Sequence, residues 1–263
     1  MDRAIRISTV DTADARQLRL KMYRRGGLIP LSDAVPVLEN FGFRVLEEMP
    51  TALAGRIGYI HDFRVEIGQE ADIDAILNRI PAVERSIANV LCGASEDDEF
   101  NQLVLYAGLE TQAVVWLRAW FRYLRQTGSS FGLVTIVDAL RRAPDATRAL
   151  IGMFVAAHDP AVESREQKVA RFGTDLDGSL VRISSIDDDR ILRRLRALVE
   201  AIVRTNAFAP AADEALAFKI NSSMVPGLPA PVPWREIWVY SPRVEAIHLR
   251  GGPVARGAAH RQW

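Results

Sequence analysis

The sequence predicts an α+β fold laid out in three successive textures. Three observations carry this reading. Before residue 68, alternating apolar runs flank one helical pattern, the mark of half-buried strands around a helix. From about residue 70 to 206, apolar residues recur at helical spacing. From about residue 215, strand-like alternation returns, interrupted by a proline-rich connector.

In the first region Gln17–Tyr23 alternates, with Leu18, Leu20 and Met22 on one side. Gly26-Gly27 breaks that strand. Pro30-Leu31-Ser32-Asp33 then opens a helix with Ser32 or Asp33 as N-cap, because a short side-chain oxygen can accept a free first-turn N–H. The helix runs through Val35, Leu38 and Phe41 to Gly42, placed where a C′ glycine ends a helix. Phe43–Glu48 reads as a second strand, with Phe43, Val45 and Leu46 inward. Ile57–Ile67 reads as a third, with Tyr59, His61, Phe63, Val65 and Ile67 on one face. A helix follows from Asp72.

The clearest helix of the middle region spans Glu110–Gln126. Its stripe is Ala113, Leu117, Trp120, Phe121 and Leu124, while Arg118, Arg122 and Arg125 share another face. Phe131–Arg142 and Asp145–Ala157 read as shorter helices separated by Pro144. A second strong helix is expected over Asp187–Arg204, with Ile191, Leu192, Leu195, Leu198, Val199 and Ile202 inward. Asp187, Asp188 and Asp189 sit in its first turn, where the helix dipole favours negative charge. In the third region Leu216–Ile220, Trp234–Tyr240 and Val244–Leu249 read as strands, and Pro226–Pro233 as the connector. A domain opening near residue 215 and closing at residue 263 is expected to be incomplete.

Composition narrows the function. The 263 residues carry 33 basic and 33 acidic side chains, so net charge favours neither nucleic acid nor an anionic membrane. Cys92 is the single cysteine, which excludes an internal disulfide and fits a reducing, cytoplasmic location. No apolar run approaches the roughly 18 residues of a membrane span. Lysine occurs only at Lys21, Lys168 and Lys219. A lysine-dependent mechanism therefore has three candidates, on a strand, a polar helix and a strand.

Local motifs are weaker than they look. Gly128-Ser129-Ser130-Phe131-Gly132 has the spacing of a nucleophile elbow, but that device needs a strand before the serine, and here a helix precedes it. His61 and Asp62 are adjacent on a strand and point to opposite faces, so a structural histidine fits better than a catalytic pair. The Trp-Arg pattern over residues 116–125 has the spacing of a buried stripe more than of a base-stacking surface. Gly26-Gly27 suits a tight turn better than an anion nest. With one cysteine and scattered histidines, no metal-ligand spacing arises. The glycine loop beginning at Arg250-Gly251-Gly252 follows a strand. As a turn or an anion site, it is the one motif with a chemical reading, since glycines allow close approach and Arg250 and Arg256 can grip a carboxylate.

Several stretches resemble the large bacterial NAD-specific glutamate dehydrogenases. They are Val225-Pro226-Gly227-Leu228-Pro229, Tyr240-Ser241-Pro242-Arg243-Val244-Glu245, His248-Leu249-Arg250-Gly251-Gly252 and Val254-Ala255-Arg256-Gly257. Pro30-Leu31-Ser32-Asp33, Leu38-Glu39-Asn40-Phe41-Gly42, His61-Asp62-Phe63, Phe100-Asn101-Gln102-Leu103-Val104, Ala107-Gly108-Leu109 and Tyr123-Leu124-Arg125-Gln126 are similar too. The resemblance implies an ACT-like βαββα module over residues 1–93, a helical scaffold over 94–210, and the start of a catalytic domain over 211–263. It also implies that Arg256 contacts a substrate carboxylate, that Gly257 permits close approach, and that Arg250, Gly251 and Gly252 support them. In the family this last motif continues as glycine–leucine–arginine–tryptophan, whereas Ala258 follows Gly257 here.

The parent reaction so implied is oxidative deamination of L-glutamate to 2-oxoglutarate, with NAD as hydride acceptor. The family's catalytic lysine and aspartate and its NAD-binding Rossmann domain have no counterpart in these residues. The expectation is therefore a fragment of a cytoplasmic homo-oligomer that by itself has no dehydrogenase activity, no catalytic residue, no metal and no NAD site. Two other readings stay open: a regulatory amino-acid-binding module in the N-terminal region, and a helical scaffold for assembly.

Overall fold

A computed structural model describes residues 3–10 and 14–253, and the chain divides into two compact units, Met1–Val114 and Val115–Trp263. The first unit opens with β1 (Arg3–Thr9) and β2 (Gln17–Arg25), then α1 (Leu31–Asn40), β3 (Phe43–Ala52) and β4 (Gly58–Ile67). The strands form one antiparallel sheet in the order β1-β2-β4-β3. Ile5, Ile7, Leu18, Leu20, Met22, Phe63, Val65 and Ile67 alternate onto one buried face. Two short steps, α2 (Ile73–Leu77) and α3 (Ile80–Leu91), follow, and Val83, Ile87 and Leu91 are buried with α1 in the same core. Asp72 caps α2 by accepting the Ala75 N–H at 3.0 Å. α4 (Gln102–Tyr106) closes the unit, its Tyr106 hydroxyl within 3.3 Å of both the Gly68 N–H and the Gly42 carbonyl.

α5 (Thr111–Gln126) starts in the first unit and runs on into the second. There it is followed by α6 (Leu133–Arg142), α7 (Pro144–His158), α8 (Arg165–Leu180) and α9 (Ile186–Ala201). A second antiparallel sheet then forms as a meander, β5 (Ile202–Thr205), β6 (Leu216–Ile220), β7 (Arg235–Tyr240) and β8 (Glu245–Arg250), ordered β5-β6-β7-β8. Leu216, Phe218, Ile220, Trp238 and Tyr240 fill its inner face. Trp116, Trp120, Phe154 and Phe218 make a ring cluster, with Trp116 and Phe154 centroids 4.9 Å apart in an edge-on contact. α9 is tied to α6 by a two-pronged contact: Asp188 accepts from Arg142 at 2.9 and 2.8 Å. Ser185 caps α9 through the Asp188 N–H. β8 is an edge strand. Ile247 and Leu249 are 39% and 57% exposed, and no described strand pairs its outer side.

Several expectations hold. Both long apolar stripes are buried, Gly42 takes φ +89° past the end of α1, and the strands after residue 215 fall where alternation placed them. Others are corrected. β1 stands ahead of the expected strand–helix–strand–strand order, carried by only two inward residues, Ile5 and Ile7. α1 begins two or three residues earlier than Ser32 or Asp33 would make it, because the Pro30 carbonyl already accepts the Asp33 and Ala34 N–H groups. α9 stops at Ala201, and Ile202 leaves the helix at ψ 119° to enter β5 while staying buried. Leu46 is not inward. The β3–β4 register skips it between Val45 and Glu47, so it is the extra residue of a bulge. Arg118, on the face of α5 that it shares with Arg122 and Arg125, is 1% exposed. That side of α5 turns toward the sheet, where Arg122 meets Glu245 at 3.6 Å.

Candidate functional site

The second sheet places the strand-end residues that the sequence singled out. β7 is held from beneath by α5 in two ways. The Trp238 indole N–H donates to the Ala119 carbonyl at 3.0 Å, and the Tyr123 hydroxyl donates to Glu236. Glu236 is 3% exposed. Burial, and then the neighbouring carboxylate, push the Tyr123 phenol well above its ordinary value. These contacts fix which face of β7 looks inward. Arg235, Ile237 and Val239 must then face away from α5.

The register lines up the open side. Arg235 lies opposite Arg250, and Lys219, Ile237 and His248 form the row two residues further on. Trp234 stands at the end of the hairpin, its N–H donating to the Arg250 carbonyl at 2.7 Å. Both guanidiniums lie over its ring, Arg235 at 4.6 Å and Arg250 at 5.6 Å from the centroid. Arg235 also donates to the Asn221 side-chain oxygen at 2.6 Å and to the Trp234 carbonyl at 2.7 Å, and Arg250 donates to the Pro253 carbonyl at 3.2 Å. Among the described residues, neither arginine meets a carboxylate. Carbonyl oxygens orient the two charges without neutralising them, an arrangement suited to an incoming carboxylate.

The sequence-derived residues fare unevenly. Arg250, Gly251 and Gly252 sit at this strand end. A Cβ on either glycine would meet nothing within 4 Å, so the packing of the described residues does not itself require glycine there. Arg256 and Gly257 lie outside the described residues. Trp234, Arg235 and Asn221 were not singled out, and Lys219 and His248 were named without being placed beside Arg250. Their signal was present as every-second-residue placement along three strands, but it becomes a shared face only once the register is known.

The remaining motifs resolve structurally. Gly128–Gly132 connects α5 to α6. Trp116, Trp120 and Tyr123 are core residues. The Gly26 N–H donates to the Ile57 carbonyl at 3.1 Å, which spends it on a turn. His61 is 1% exposed and sits between the Glu48 carboxylate, 2.9 Å from Nδ1, and the Ile29 N–H, 3.1 Å from Nε2. Those partners assign the proton to Nδ1. Asp62, on the other face, pairs with Arg19 at 2.7 Å. His158 lines a cavity of about 430 Å³ between α7, α8 and α9, and its Nε2 is buried without a hydrogen-bond partner. Burial, then Arg165, lower its pKa to about 4. No group of three or more metal-ligating side chains occurs among the described residues, and no helix there is long and apolar enough to cross a membrane. A dinucleotide site of the Rossmann kind needs parallel strands joined through a glycine-rich turn. Every strand pair described here is antiparallel, so the described residues form no site of that kind.

Three family models match consecutive parts of the chain. They are the glutamate dehydrogenase ACT3 domain over residues 3–76, the glutamate dehydrogenase helical motif 3 over 95–160, and the bacterial NAD-glutamate dehydrogenase catalytic domain over 175–262. The candidate strand end lies in the last of these. Among curated proteins, the chain is 40% identical to the NAD-specific glutamate dehydrogenase of Pseudomonas aeruginosa over 92% of its own length. It is 37% identical to that of Halomonas elongata and 35% identical to that of Mycobacterium tuberculosis, each over 91% of its length. It spans only 15–16% of the length of these relatives. On the three consecutive domain matches and this identity along nearly the whole sequence, the chain belongs to the family of large NAD-specific glutamate dehydrogenases.

Proposed function

We propose that this chain works as part of an NAD-dependent glutamate dehydrogenase, which oxidatively deaminates L-glutamate to 2-oxoglutarate and ammonia. In this reading its strand-end arginines hold a substrate carboxylate. The observation that supports it is the Asn221–Arg235–Arg250 row, with two guanidiniums over Trp234 and no acidic partner among the described residues. Arg250, with Gly251 and Gly252, supports the contact, Arg256 makes it, and Gly257 lets the backbone come close. NAD would bind outside residues 3–253, and no step of hydride transfer is assigned to these side chains. Assembly into a homo-oligomer in the cytoplasm belongs to the same reading.

The test uses a full-length enzyme that carries this stretch. Arg250→Ala should raise KM for glutamate by about tenfold or more, the scale of one lost charge-assisted hydrogen bond, with KM for NAD unchanged. An unchanged glutamate KM would remove Arg250 from the carboxylate contact. The 263-residue chain, incubated with glutamate and NAD, should give no rise in NADH absorbance.

A further inference from the structure

We propose that Trp234 is the positioning residue of the candidate site: its indole ring holds the Arg235 and Arg250 guanidiniums side by side, ready for one carboxylate. This role rests on the carboxylate reading above and names the residue through which the two arginines act as a pair.

The strand register sets two positive charges against each other. Arg235 and Arg250 stand directly opposite on β7 and β8. Like charges at such a position destabilise the pair. The first sheet shows the usual remedy. Arg19 lies opposite Arg64 there, and each has its own carboxylate 2.7 Å away, Asp62 and Glu47 respectively. Arg235 and Arg250 have no such partner among the described residues. They have the face of one ring instead, with its centroid 4.6 and 5.6 Å from the two guanidinium carbons. An indole face attracts a guanidinium and leaves its N–H donors free. An acid in that place would hold the arginines too, but it would take up the donors that a substrate carboxylate needs.

The ring is itself fixed by the backbone. The Trp234 N–H donates to the Arg250 carbonyl at 2.7 Å, and the Trp234 carbonyl accepts from Arg235 at 2.7 Å. Its main chain is thus tied to both residues that its side chain carries. The Asn221 side-chain oxygen, 2.6 Å from Arg235, and the Pro253 carbonyl, 3.2 Å from Arg250, steer one guanidinium each. Each guanidinium has five N–H donors, so some remain for a two-pronged grip on a carboxylate. Trp234 is 37% exposed, and core packing gives little reason for so large an aromatic group here.

The test uses a full-length enzyme that carries this stretch, with Trp234→Leu, Trp234→Phe, Arg250→Ala and the Trp234→Leu/Arg250→Ala double variant. Two quantities are read: KM for glutamate, and the inhibition constant of glutarate, a dicarboxylate with no amine to oxidise. Trp234→Leu should raise both about fivefold, the scale of two exposed cation–π contacts, with kcat and KM for NAD unchanged. Trp234→Phe keeps an aromatic face and should lose less. In the Arg250→Ala background, Trp234→Leu should cost less than it does alone, because one of the guanidiniums it positions is already gone. Equal losses in the leucine and phenylalanine variants would overturn the inference, since bulk alone would then matter. So would full additivity in the double variant, or a fall in kcat with both constants unmoved. An effect of Arg250→Ala with none of Trp234→Leu would sink the positioning role alone. No effect of Arg250→Ala would remove Arg250 from the carboxylate contact and the positioning role with it.

Discussion

Glu48 reaches His61, 2.9 Å from Nδ1, because Leu46 is squeezed out of the β3–β4 register. Without the extra residue, alternation would carry Val45 and Glu47 inward and leave Glu48 on the solvent face. With it, Glu48 lies opposite Phe63 and its carboxylate meets a buried imidazole whose other nitrogen accepts the Ile29 N–H.

Removing that carboxylate leaves a buried N–H without an acceptor. Glu48→Ala should therefore cost about 1–3 kcal/mol, read by urea unfolding at pH 7. Glu48→Gln keeps an acceptor oxygen and should cost less. Equal losses in the two variants would show that the side chain acts only through packing.

His158 predicts a pH dependence. Its pKa falls from the ordinary 6.5 to about 4 in the folded chain, so between these values the unfolded state binds the extra proton. Stability should drop as pH falls from about 6.5 toward 4 and gain no further slope from this group below that. The size is on the order of 1 kcal/mol, since the side chain is only partly shielded from solvent. His158→Gln should flatten that segment of the stability–pH curve, measured by thermal melts. A parallel curve for the variant would rule the histidine out as its source.

Tyr123 carries the opposite sign. Its folded-state pKa lies above the unfolded value near 10, so its contribution is complete below pH 10 and declines as the unfolded phenol ionises above it. Tyr123→Phe leaves the Glu236 carboxylate buried without its donor. It should lower stability by about 1–3 kcal/mol at pH 7, seen in denaturant midpoints. The tyrosinate absorbance of the native chain should then include no contribution from this residue near pH 10, a difference spectrum against the variant being the check.

The helices were the legible part of the sequence. The stripes Leu117–Trp120–Leu124 and Leu192–Leu195–Val199 recur at helical spacing, which is a local signal that packing only has to honour. Sheet details were less legible because register is set across the chain. Nothing near Leu46 announces a bulge, since the choice depends on what Val65 and Arg64 do on the neighbouring strand. Ile202 was assigned to a helix because it is buried under either geometry. At the candidate site, Arg250, Gly251 and Gly252 were legible as a glycine loop after a strand, and family resemblance gave the loop its substrate reading. Asn221 and Arg235 join them only through the pairing of β6, β7 and β8, the first two being 14 positions apart in sequence.

The outer side of β8 governs how this stretch behaves in a tube. Its main-chain donors and acceptors from Glu245 to Arg250 have no described strand beyond them, and Ile247 and Leu249 stand exposed beside them. Such an edge is a template for strand addition, and the readiest source of strands in a concentrated sample is another copy of the same chain. Turbidity should climb with protein concentration, and lysine at positions 247 and 249 should hold the chain in solution without loosening the core beneath α5. For anyone crystallising or spectroscopically labelling this stretch by itself, that edge sets the working concentration.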